Sequence, residues 1–202
     1  MPDTWQDDAA DSEDANLDPI TRGQQLLSTQ TIVMIGLLGA ITLFLAITRL
    51  GDFPLPNITG AATIVHVPTI LAGVLGGPGS GLLVGLIFGG GSWVTASVPM
   101  FTDPLVAVLP RLLVGVLAYV GWSAFKNRST TFALGFAGWV GTVANTVLVL
   151  TMAILRGYLP LGAVVTIIPQ SLAEQVIAIM LTIVVGKAYL TVMEYAYKRG
   201  RD

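Results

Sequence analysis

Arg111, within residues 105 to 125, and Glu174, within residues 162 to 190, are charged side chains standing inside otherwise apolar runs and well away from their ends. An ionisable group in such a run is expensive to keep in hydrocarbon, so each marks a site by default. Two further polar groups share this setting, Asn145 and Gln170. Gln170 and Glu174 are four residues apart and so lie on one helical face. An arginine offers donors to a carboxylate, while Glu174, Gln170 and Asn145 supply acceptors and amide donors. The chemistry is recognition of a small polar molecule, or a structural ion pair of Arg111 with Glu174 bridged by Asn145. His66, the single histidine, is a further ligand candidate or a satisfied core histidine. Trp93 either stacks on a ligand ring or anchors at the membrane interface.

Other chemistries lack their equipment. The chain has no cysteine and one histidine, which removes thiolate metal sites, cysteine nucleophiles and a usual zinc site; no metal or cofactor is expected. The glycine-rich stretch Gly76 to Gly81 is followed by Leu82 and Leu83, where a phosphate-binding loop needs Lys and then Ser or Thr. There is no Gly-x-Ser-x-Gly elbow and no paired-histidine motif, so no catalytic residue is assigned. Basic residues are dispersed rather than interleaved with aromatics, which argues against nucleic acid as a partner.

The elements that must position these groups are membrane helices. Of 202 residues 53% are hydrophobic and 11% charged, against about 25% charged in ordinary soluble domains. Apolar runs long enough to approach the roughly 20 residues that cross about 30 Å of hydrocarbon number six. They fall near residues 30–50, 61–76, 79–98, 105–125, 131–155 and 162–190. The expected fold class is all-α integral membrane, six transmembrane helices in one bundle, spanning residues 25–195. Residues 1–24 read as an acidic, solvated tail: the first eighteen hold seven carboxylates and no Lys or Arg. Without a positive n-region that segment is not expected to be a secretory signal. Residues 196–202 read as a basic cytoplasmic C-terminus.

With six spans both termini share a side. Arg22, Lys126, Arg128, Lys187, Lys198, Arg199 and Arg201 then fall together, and only Arg49 and Arg156 fall opposite. Basic residues collect in the cytoplasm, so both termini are expected there. At about 1.5 Å per residue, Arg111, Asn145, Gln170 and Glu174 lie roughly 10, 16, 15 and 20 Å below the outer end of their helices. Four polar groups on three consecutive helices within about 10 Å of depth describe a pocket open to the outside. Asp103 precedes Pro104 in the order expected of a helix cap.

Small residues should set the packing. Gly81, Gly85 and Gly89, with Gly77 one turn earlier, line one helical face and allow another backbone to approach. Gly36 and Ala40 form a shorter small-residue patch on a helix of Leu, Ile and Phe, facing a neighbour or a partner protein.

Several stretches together resemble a known family. They are Ala62-Thr63-Ile64-Val65-His66-Val67-Pro68, Gly73-x-x-x-Gly77-Pro78-Gly79, Gly85-Leu86-Ile87-Phe88-Gly89, and Asp103-Pro104 through Pro110-Arg111 to Gly115. This pattern is similar to the substrate-binding S-components of energy-coupling factor (ECF) vitamin transporters. The resemblance implies a membrane subunit that captures a vitamin-like small molecule and joins a transmembrane scaffold and two ATPase subunits. It also implies that Gly36 and Ala40 occupy the scaffold-docking position, Gly standing where Ala is more usual. The family's ligand pockets draw on the outer loops and helices four to six, matching Arg111, Asn145, Gln170 and Glu174. The acidic tail has no counterpart in the family. Arg111 would suit a carboxylate such as that of pantothenate, while folate, riboflavin and a cobalamin stay open. Two other readings stand beside this one: a small membrane enzyme or channel relaying charge between Arg111 and Glu174, and an interaction subunit without a ligand.

Overall fold

A computed structural model describes residues 29–54 and 61–199. The expected acidic tail, the tip of the first outer loop and the last three residues lie outside the described residues. The chain divides into residues 1–34, of which 29–34 open the first helix, and residues 35–202, which hold everything that follows.

Among the described residues five helices are long and apolar enough to cross a membrane. Helix α1 (Thr29–Thr48) ends where Arg49 takes a left-handed conformation, φ 56°. A two-stranded antiparallel hairpin follows, β1 (Asp52–Pro54) with β2 (Ala61–Thr63), Asp52 opposite Thr63. Next come α2 (Val67–Val94), the short α3 (Pro104–Ala107), α4 (Leu109–Phe125), α5 (Thr130–Leu155) and α6 (Val164–Arg199). Single 3-10 turns, Pro99–Thr102 and Leu161–Ala163, precede α3 and α6. The basic C-terminus expected from residue 196 begins inside α6, which continues to Arg199.

The expected second and third spans both lie in α2. That helix is broken at Gly77, whose φ of 84° and ψ of 177° leave helical space just before Pro78. The break is a reversal. A Cβ built on Gly81 would lie 2.9 Å from the Cα of Gly73, eight residues earlier, whereas a continuous helix holds such residues about 12 Å apart. The start of the second expected span differs as well: residues 61–63 pair as a strand, and helix begins only at Val67. Gly77 also departs from the packing face assigned to it. A side chain there would meet nothing within 4 Å, and its role is the positive φ that a turn of this kind demands.

The other three glycines of that face, Gly81, Gly85 and Gly89, do pack as small residues should. A Cβ on Gly81 would sit 2.7 Å from the Gly115 carbonyl carbon, and one on Gly115 would sit 2.5 Å from Gly81 Cα. Gly85 meets the Arg111 carbonyl and Gly89 the Val108 Cα in the same way. Backbone against backbone, α2 and α4 lie as close as helices can, since in lipid small residues replace hydrophobic burial as the packing force.

Helix α6 shows the same logic by its faces. Ile167, Ser171, Glu174, Ala178, Thr182 and Gly186 form the buried stripe, whereas Ile168, Leu172, Val176, Met180 and Val184 are exposed. Turns are closed by ordinary caps. Ser129 accepts the Phe132 N–H at the start of α5. At its end Gly157, φ 75°, lets Tyr158 N–H reach Ala153 O and Gly157 N–H reach Ile154 O, the Schellman arrangement.

Candidate ligand-binding site

The ends of these helices converge on one cavity enclosing about 920 Å³ of empty space, its open mouth included. Thr63 and Val65, before α2, line it together with Ser92 and Thr95 at the far end of α2, so both ends of that broken helix reach the same place. α4 contributes Arg111, α5 contributes Asn145 and Val149, and α6 contributes Ile167, Gln170, Ser171 and Glu174. All four polar residues singled out inside the helices therefore line a single cavity.

Arg111 is buried, 5% exposed. Its Nη1 donates to Val106 O at 2.6 Å, and its guanidinium carbon stands 4.7 Å from the ring centre of Phe101 and 5.6 Å from that of Phe88. Aromatic faces at such distances hold a cation electrostatically. Arg111 Nε has no hydrogen-bond partner, and neither has Oδ1 of Asn145, which is 6% exposed. Unmet polar atoms of this kind carry the full desolvation penalty.

Glu174 is placed differently from the bridged ion pair considered above. Its Oε1 accepts the Thr63 backbone N–H at 2.8 Å and the Gln170 amide at 2.8 Å. Among the described residues the ion pairs are Arg156 with Asp103 and Lys198 with Glu194. Arg111 and Glu174 belong to neither. Each is anchored locally instead, Arg111 by a carbonyl of its own segment and Glu174 by the strand end across from it and by Gln170. Glu174 thereby fastens the β hairpin to α6 at the cavity wall.

Two candidates sit elsewhere. His66 is fully buried outside the lining, its Nε2 3.0 Å from Thr142 Oγ1. Thr142 already donates its proton to Gly138 O at 2.8 Å, so Nε2 is the donor and the ring ties the start of α2 to α5. Trp93 is 48% exposed and donates Nε1–H to Thr102 O at 3.1 Å, an anchor between α2 and the following loop. Gly36 and Ala40 are exposed on α1, and a side chain on Gly36 would meet nothing within 4 Å.

Sequence reasoning missed residues at the mouth. Arg49 lines the cavity and donates Nη2–H to Thr95 O at 3.1 Å, joining the end of α1 to the end of α2. Asp52 lines it too; burial pushes its carboxyl above the usual range, partly offset by the Thr63 hydroxyl and the Arg49 charge. The one signal for Arg49 was its isolation as a basic residue at the outer end. Asp103 caps α3 as expected, Oδ1 accepting Leu105 N–H at 2.9 Å, and its Oδ2 takes the Arg156 Nε–H at 2.6 Å. That bond holds the Asp103 carboxyl below its ordinary range.

Comparison with known proteins gives this geometry a family. Residues 30–186 match the family described as ECF transporter, substrate-specific component. The pantothenic acid transporter PanT of Lactococcus lactis subsp. cremoris is 33% identical over 151 residues, 59% of this chain and 73% of that protein. The pantothenate transporter PanT of Leuconostoc mesenteroides subsp. mesenteroides is 28% identical over 187 residues, 79% of this chain and 91% of that protein. A solved structure described as "Structure and mechanism of the S component of a bacterial ECF transporter" shares the fold, with a TM-score of 0.59 at 21% identity over 82% of this chain and 98% of that one. The family consists of transporter components rather than enzymes, and its apolar helices make this chain a membrane protein. By the extent of that match, the chain belongs to the substrate-specific components of ECF transporters.

Proposed function

We propose that this chain captures pantothenate from outside the cell and hands it to an ECF importer in the plasma membrane. The observation that carries the reading is Arg111, a buried cation in the cavity wall with an unmet donor. Pantothenate offers one carboxylate, two hydroxyls and an amide around a branched apolar centre. Arg111 takes the carboxylate, Asn145 accepts from a hydroxyl or amide, Gln170 and Glu174 complete the polar wall, and Val149 and Ile167 face the methyl groups. Two relatives described as transporters of this vitamin support the choice.

Six segments cross the membrane on this reading, because the reversal at Gly77 splits α2 into two. Both termini are cytoplasmic and the cavity opens outward. The chain carries no phosphate-binding loop, so the energy for transport comes from a scaffold subunit and two ATPases. The exposed Gly36 and Ala40 face is where that scaffold docks.

The test is thermal unfolding of the purified protein with pantothenate, joined to mass spectrometry of small molecules carried through purification. A ligand at 100 times its Kd adds about 2.7 kcal/mol. A clear rise with pantothenate and none with riboflavin or folate is expected. A different co-purified vitamin, with no response to pantothenate, overturns the assignment.

A further inference from the structure

The contact that fixes Arg111 begins with a group that is missing. In an unbroken helix running on from Pro104, the carbonyl of Val106 would accept the N–H four residues later. That residue is Pro110, which has none. The helix breaks at Val108, between α3 and α4, and the Val106 carbonyl is left without a backbone donor. Val106 and Ala107 are fully buried, which denies that carbonyl a water. Arg111 Nη1 fills the vacancy at 2.6 Å.

We propose that Pro110 is a positioning residue for ligand recognition: by withholding its N–H it reserves the Val106 carbonyl for Arg111 and so sets the guanidinium in the cavity wall. Two features make this more than a helix start that happens to carry proline. The guanidinium is bracketed by Phe101 and Phe88, so one anchored nitrogen fixes the whole plane. The α4 backbone itself cannot shift to compensate, because Gly85 and Gly89 press α2 against the Arg111 carbonyl and the Val108 Cα. With Nη1 bonded to the Val106 carbonyl and Nε closed off from solvent, Nη2 is left to meet a ligand oxygen. The consequence for binding rests on the reading that Arg111 meets a carboxylate; the positioning of Arg111 does not.

The experiment has one arm for each. In protein labelled with nitrogen-15 arginine and held in detergent, hydrogen bonding of Nη1 slows rotation of the guanidinium and separates its two Nη signals. Pro110→Ala returns an N–H to Val106, and those signals are expected to merge. In the second arm, Kd is measured for pantothenate and for pantothenyl alcohol, its neutral analogue. Pro110→Ala is expected to weaken pantothenate about tenfold or more, the scale of a lost hydrogen bond to a charged group, and to leave the alcohol nearly unchanged. Pro110→Val restores the same N–H with a different side chain and is expected to behave alike. Separate Nη signals persisting in both variants overturn the proposal, as does an equal loss of both ligands or a failure of both variants to fold. If the unaltered protein shows no preference for pantothenate over the alcohol, the carboxylate reading falls while the first arm still decides the positioning.

Discussion

At the scale of single residues, Arg111 is held apart from the carboxylate side of the cavity, where Glu174, Gln170 and Thr63 are bonded together. Arg111 is tied to its own segment and Glu174 to the β hairpin, with no ion pair between them. Residues without shared partners have effects on stability that add within about 0.5 kcal/mol. Arg111→Met and Glu174→Gln are therefore expected to be additive in thermal unfolding, and a coupling well above that would restore the bridged pair. Affinity behaves otherwise: Arg111→Met is expected to weaken pantothenate by about ten- to a hundredfold, and the double variant does not recover it. Full recovery of binding in the double variant would remove Arg111 from the ligand's contacts.

The Asp103–Arg156 pair makes a pH-dependent prediction outside the spans. Its carboxyl is held below the unfolded value of about 3.9. Stability from a depressed carboxylate is present above the unfolded pKa and is lost as pH falls through the folded one. Arg156→Gln removes the main cause, so the variant is expected to be less stable than the parent at pH 7, with the gap narrowing as pH falls below the unfolded value and so smaller at pH 3. A gap unchanged between those pH values would mean that the pair contributes nothing through ionisation. The four helix-borne polar residues were legible because each interrupts an apolar run. Asp52 was not, because it lies in a turn-rich stretch where polar residues are ordinary, and neither were Arg49 and Thr63, which stand at the ends of apolar runs.

At the scale of elements, two glycine patterns that look alike in sequence have opposite surroundings. Gly81 and Gly115 meet each other's backbone, while Gly36 and Ala40 face outward on α1. Gly115→Ala would force α2 and α4 apart and is expected to lower stability by about 1–3 kcal/mol or more. Gly36→Leu and Ala40→Leu are expected to leave thermal stability and pantothenate affinity intact and to abolish co-purification with the energising module, since a bulky side chain blocks close backbone approach. Normal assembly of both variants would move the docking surface elsewhere. Glycine spacing alone could not separate the two patterns, because the difference lies in what stands opposite. The turn at Gly77-Pro78 was legible as the gap between the apolar runs 61–76 and 79–98. The break at Val108 was not, since Pro110 sits where a proline ordinarily opens a helix, and its effect passes through a carbonyl four residues back.

At the scale of the whole molecule, orientation rests on few charges. Seven basic residues are assigned to the cytoplasmic side and two, Arg49 and Arg156, to the outer side. Those two could have weakened the argument. In the structure each is engaged: Arg49 donates to Thr95 O at the cavity mouth, and Arg156 is bonded to Asp103. The cavity shows which helix ends share a side. It is lined from the end of α1, both ends of α2, the start of α4, the latter part of α5 and the start of α6. A chain with cytoplasmic termini puts all of these on the outside, where a nutrient must be captured. Single cysteines placed at Asn57 and Ser129 in the naturally cysteine-free chain decide it. In intact cells a membrane-impermeant maleimide is expected to label position 57 and to spare position 129 until the membrane is opened. Labelling of 129 alone would invert the protein, turn the cavity to the cytoplasm and end its reading as a subunit that captures its ligand from outside.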